Sequence, residues 1–67
     1  MTISEIRKEI VSYRYKGWSF YVDDIGSQFL FTVLNETRSR SVYVPVDHVN
    51  DTATVRKICE ELAKRCT

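Results

Sequence analysis

Seven consecutive residues, Gln28-Phe29-Leu30-Phe31-Thr32-Val33-Leu34, place apolar side chains on both faces of an extended chain and are bounded on each side by turn-forming residues. That pattern belongs to a strand with neighbours on both sides and cover on at least one face, so this run predicts the centre of a sheet. On its amino-terminal side, Trp18-Ser19-Phe20-Tyr21-Val22 alternates large apolar with more polar residues, and its aromatic and β-branched side chains suit a pleated, half-buried surface. Asp23-Asp24-Ile25-Gly26-Ser27 then concentrates turn formers, with Gly26 free to take a positive φ, and predicts a hairpin. On the other side, Asn35-Glu36-Thr37-Arg38-Ser39-Arg40 reads as a second hairpin loop, and Ser41-Val42-Tyr43-Val44-Pro45-Val46 resumes the alternation. Pro45 cannot donate a ladder hydrogen bond, so it belongs on an edge strand or at a strand end, which supports the meander order one, two, three.

Period-two alternation divides the sheet into faces. Trp18, Phe20 and Val22 of the first strand and Val42, Val44 and Val46 of the third are expected to face the core. In the central strand Phe29, Phe31 and Val33 are assigned inward, because the alternative set of Leu30, Thr32 and Leu34 would bury a hydroxyl in need of a partner. The opposite face then presents Ser19, Tyr21, Leu30, Thr32, Leu34, Ser41 and Tyr43, an amphipathic surface rather than a polar one.

A helix is expected on either side of the sheet in sequence. Thr2-Ile3-Ser4-Glu5 fits a capping box, and Ile3, Ile6, Ile10 and Tyr13 recur at helical spacing in a helix ending near Arg14. The second begins with Asp51 or Thr52 as cap and runs to about Cys66, with Val55, Ile58, Cys59, Leu62, Ala63 and Cys66 on one stripe. Lys57 with Glu61 and Glu60 with Lys64 stand four apart on its outer surface. The fold class is α+β: helix, three-stranded antiparallel meander, helix (αβββα), both helices on one face of the sheet, as a single small domain over residues 1–67.

With 43% hydrophobic and 28% charged residues the composition is that of a globular chain, and the formal net charge of +1 supplies no global attraction to nucleic acid or an anionic membrane. No apolar run approaches the roughly 20 residues that span a bilayer. Cys59 and Cys66 are seven apart on the second helix, which separates their Cα atoms by about 10 Å, beyond the roughly 7 Å limit for a disulfide. Two half-buried thiols in a reducing compartment, and a cytoplasmic location, are the expectation.

Motifs that carry chemistry are sparse. Gly17 and Gly26 are the only glycines and neither belongs to a phosphate-binding loop, which argues against nucleotide hydrolysis. His48, the single histidine, lies near Asp47 and Asp51, yet a metal site needs three or four ligands, and the two helical cysteines are not arranged to supply the rest. Neither cysteine nor any serine has the histidine as a plausible partner for nucleophilic catalysis. Asp23-Asp24 reads as a solvated turn, and the small size argues against an enclosed substrate pocket. No enzyme, metal or cofactor is expected.

Two functions compete. The first is a non-enzymatic protein-interaction module acting through Tyr21, Leu30, Leu34 and Tyr43 or through an edge strand, with a protein partner or a second copy as a homodimer. Short chains without catalytic equipment often serve as accessory or inhibitory proteins, including those of phages and mobile elements. The alternative is nucleic-acid binding. Cations and aromatics alternate over Tyr13-Arg14-Tyr15-Lys16, and Arg38 and Arg40 lie in the second hairpin loop. The order of elements over the whole chain, and no family motif, resembles the double-stranded RNA-binding domain in topology and length; in this alternative Arg14, Lys16, Arg38 and Arg40 are the residues expected to contact phosphate. That family also carries a basic cluster at the start of its second helix, where this chain has only Arg56 and Lys57.

Overall fold

Turn chemistry at both ends of the central run closes two hairpins on it. The computed structural model of the protein describes residues 1–13, 15 and 17–66. It contains helix α1 (Ile3–Ser12), strands β1 (Ser19–Asp24), β2 (Gln28–Leu34) and β3 (Ser39–Pro45), a 3₁₀ turn (Val46–His48) and helix α2 (Thr52–Cys66). The sheet is antiparallel in the order β1-β2-β3. At the first tip, Ile25 N–H donates to the Gln28 carbonyl and Gly26 N–H to the Asp24 carboxylate, with Gly26 at φ +103°. At the second, the Asn35 side-chain oxygen accepts from the N–H groups of both Thr37 and Arg38, a local turn in which the side chain stands in for backbone.

The boundaries shift by a few residues from those read in the sequence. α1 stops at Ser12, and Tyr13 is its cap rather than its interior. Asp23 and Asp24 extend β1 instead of forming the turn, and Arg40 belongs to β3 rather than to the loop. Both extensions follow from the tightness of the turns, which leaves those residues paired across the ladder: Asp24 with Phe29, and Arg40 with Val33. Trp18 precedes β1 and forms an isolated bridge with Tyr15 around Gly17, which has φ +80°.

Caps and stripes hold the helices as their chemistry requires. Thr2 and Glu5 form the reciprocal capping box of α1. Asp51 accepts from both the N–H and the hydroxyl of Thr54 at the start of α2, so it, not Thr52, supplies the cap. Both helices pack on one face of the sheet, α1 beside β1 and α2 over β2 and β3. Between them lie Ile6, Ile10, Phe20, Val22, Phe29, Phe31, Val33, Val55, Cys59, Leu62 and Ala63. The inward choice of Phe29, Phe31 and Val33 is observed, and the Thr32 hydroxyl finds the Ser41 hydroxyl at 2.9 Å on the other face. Phe31, 1% exposed, anchors this core; truncating such a phenylalanine typically costs about 3–5 kcal/mol, a large share of a small domain's stability.

Two departures concern the edges of that core. Val42 and Val44 pack against it but remain half-buried because they line a hollow between β3 and α2, and Val46, also half-buried, opens the 3₁₀ turn instead of ending the strand. Val49, set among the polar residues Asp47, His48, Asn50 and Asp51, is 1% exposed and fully part of the core.

Candidate functional site

The face of the sheet turned away from the helices is uncovered. The pairing register sets Leu30 directly beside Tyr43, and Tyr21 directly beside Thr32, itself beside Ser41. Tyr21 therefore lies diagonal to Leu30 and Leu34, within reach for an aromatic ring. Tyr21 and Tyr43 are 55% and 59% exposed, while Leu30 and Leu34 are half-buried between the strands. All four residues expected to form an interaction surface thus share one face. Across the whole face, from Ser19, Tyr21 and Asp23 through Gln28, Leu30, Thr32 and Leu34 to Ser39, Ser41 and Tyr43, only Asp23 is charged.

Of the four residues expected to form a basic surface, Arg38 and Arg40 are among those described. Arg38 donates from Nη1 to the Cys66 carbonyl at 2.9 Å, so it caps the end of α2. Arg40 lies on the helix side of β3 and lines the hollow there. Arg56 donates from Nε to the Glu9 carboxylate at 2.6 Å, joining the two helices. Arg14 and Lys16 lie outside the described residues. Their neighbours Tyr13 and Tyr15 stack on each other with centroids 6.3 Å apart, and Tyr13 also packs on Phe20 at 5.4 Å. These rings contribute to the margin of the core.

The hollow beside β3 is a groove of about 260 Å³ with a floor of Val42, Val44, Ile58 and Leu62 and a rim of Arg40, Lys57, Glu61 and Arg65. Glu61 was paired with Lys57 in the sequence, but among the described residues those two form no ion pair, whereas Lys64 and Glu60 do at 2.9 Å. This groove was missed in the sequence. Its one signal is the row Lys57, Glu61, Arg65 at spacing four, running alongside the apolar pair Ile58 and Leu62.

The lone histidine and the buried Cys59 stand apart in the fold. His48 is exposed at the end of the 3₁₀ turn. Burial, reinforced by the Glu9 carboxylate, pushes the Cys59 thiol up to about 12, which suppresses the thiolate that a nucleophile requires. Among the described residues no group of three His, Cys, Asp or Glu side chains could hold a metal ion, and no helix is long and apolar enough to cross a membrane. Comparison with known proteins returns no relative: no family model, no curated protein and no solved structure matches the chain.

Proposed function

We propose that the protein is a non-enzymatic interaction module that works through the uncovered face of its sheet, with a second copy of the chain as the favoured occupant. The observation that carries this reading is the placement of Tyr21 and Tyr43, each more than half exposed, around half-buried Leu30 and Leu34 on a face without helical cover. Tyrosine combines large apolar area with a hydroxyl that keeps the free surface wettable, which is why it anchors interfaces. A face whose only charge is Asp23 can meet its own copy without stacking like charges at the centre. The raised Cys59 thiol and the exposed His48 support a role without catalysis. An accessory or inhibitory role, covering a site on a larger cytoplasmic protein, is the wider class to which such a module belongs.

Size-exclusion chromatography with light scattering, over a range of protein concentrations, tests the reading. A dimer that the double substitution Tyr21→Ser, Tyr43→Ser dissociates is the expected result. A monomer at every concentration would rule out the second copy, and co-purified nucleic acid that dissociates as salt rises would favour the phosphate-binding alternative instead.

A further inference from the structure

The geometry points to a second binding site, distinct from the open face: the groove between β3 and α2, with the free edge of β3 as its wall, takes an extended segment of a partner protein bearing acidic and branched apolar side chains. Three independent features meet there. The first is the backbone. Bonds from Asn35 N–H to the Arg38 carbonyl and from Val46 N–H to the Ser27 carbonyl fix the phase of the β2–β3 ladder. In an antiparallel pair the bonded positions alternate, so Arg38, Arg40, Val42 and Val44 turn their peptide groups toward β2. Ser39, Ser41 and Tyr43 turn theirs outward, and β3 is the last strand of the sheet. That edge offers N–H and C=O groups to an added strand until Pro45, which has no N–H to give.

The second feature is shape. Side chains alternate across an added strand, so every other one would project over the helix side of the sheet into the groove. Val42, Val44, Ile58 and Leu62 give it an apolar floor, and the volume of about 260 Å³ suits a few branched side chains. The third is charge. The rim sets Arg40, Lys57 and Arg65 against Glu61 alone, and among the described residues none of the three cations is in an ion pair. The Arg38 contact to Cys66 puts the start of β3 beside the end of α2, so Arg40 and Arg65 share one end of the groove and suit a carboxylate there. A basic or uncharged segment would lose that complementarity, and the free edge alone would not distinguish between sequences.

Two pools of short fluorescein-labelled peptides test this by fluorescence anisotropy, one mixing Val, Ile and Thr with Asp and Glu, the other mixing them with Lys and Arg. The acidic pool is expected to bind and the basic pool to fail. Arg40→Glu with Arg65→Glu should weaken the acidic pool about tenfold or more, and Arg65→Glu alone, on the exposed side of α2, carries the test if the double variant does not fold by circular dichroism. Methylating alternate peptide nitrogens should abolish binding, because it removes the donors an added strand needs. Tyr21→Ser, on the far strand, should leave the affinity within about twofold, which separates this site from the open face. Equal binding of both pools, no binding of the acidic pool, or binding indifferent to the charge reversals or to N-methylation would overturn the proposal.

Discussion

Arg38 reaches from the second hairpin to the last turn of α2, where its Nη1 donates to the main-chain carbonyl of Cys66 at 2.9 Å. The final carbonyls of a helix have no donor within it and carry the negative end of its dipole, so a guanidinium there both satisfies an acceptor and neutralises partial charge. The same contact ties the start of β3 to the end of α2 across 28 residues of chain. Arg38→Ala is expected to lower stability by about 1–2 kcal/mol, with Arg38→Lys between the two. Urea denaturation measures it, and an unchanged midpoint would mean that the guanidinium is solvated instead.

A second cross-fold tie joins the helices. Arg56 Nε lies 2.6 Å from the Glu9 carboxylate, whose side chain is only 14% exposed while the arginine remains open to solvent. Partial shielding on the acid side makes the pair stronger than a fully solvated one, and the open arginine keeps it sensitive to salt. A double-mutant cycle with Glu9→Gln and Arg56→Gln should return a coupling of about 0.5–1 kcal/mol that shrinks at high ionic strength. Strict additivity at low salt would dissolve the pair as a stabilising element.

These two ties show where sequence reasoning reached its limit. The central strand, its inward face and the stripe of α2 are legible because period two and period 3.6 are local signals that each segment carries alone. The capping box of α1 is legible for the same reason, since its partners Thr2 and Glu5 are three residues apart. The partners of Arg38 and Arg56 are not legible, because Cys66 and Glu9 lie 28 and 47 residues away and are fixed only by packing. Val49 was hidden by its polar neighbours Asp47, His48, Asn50 and Asp51; one apolar residue has no periodicity to betray it. The groove beside β3 was equally hidden, since it arises from where α2 sits over the sheet. The aromatic face was readable because β2 fixes which alternate residues point outward, and the register then places Tyr21 and Tyr43 with it.

The helix caps predict the acid limb of the stability curve. Hydrogen bonds from Thr54 hold the Asp51 carboxyl below its ordinary 3.8, and hydrogen bonds from Thr2 hold Glu5 below its ordinary 4.5. A carboxyl whose folded value is depressed binds fewer protons in the folded state, so its contribution is present above the unfolded value and lost as pH falls through the folded one. Melting temperature should therefore decline below about pH 4.5, and Asp51→Asn, which keeps an acceptor without a titrating group, should flatten that decline. An unaltered acid limb in Asp51→Asn would show that the cap bond does not titrate.

Cys59 governs the opposite limb. Burial in the core, with the Glu9 carboxylate nearby, raises its thiol from 9.0 to about 12. In the unfolded chain the thiol ionises near its ordinary value, while the folded chain keeps the proton. The folded state therefore binds more protons above about pH 9, and the stabilisation from the buried neutral thiol is complete below that point and lost as pH rises toward 12. Between those values the loss should approach about 1.4 kcal/mol for each pH unit. Comparing urea denaturation of the protein with that of Cys59→Ala across this range reads the effect, because tyrosine and lysine side chains are present in both chains. Among the described residues only Tyr13, whose phenol Cys59 helps to raise after burial and Glu60, is coupled to the substitution. The slope should be shallower in Cys59→Ala, whatever the cost of the lost sulfur at neutral pH. In a Cys66→Ala background, an aromatic disulfide reagent at about pH 8 should label Cys59 only as fast as the core opens, since the native thiol is both buried and protonated. Parallel slopes together with immediate labelling would place Cys59 in contact with solvent and remove it from the core.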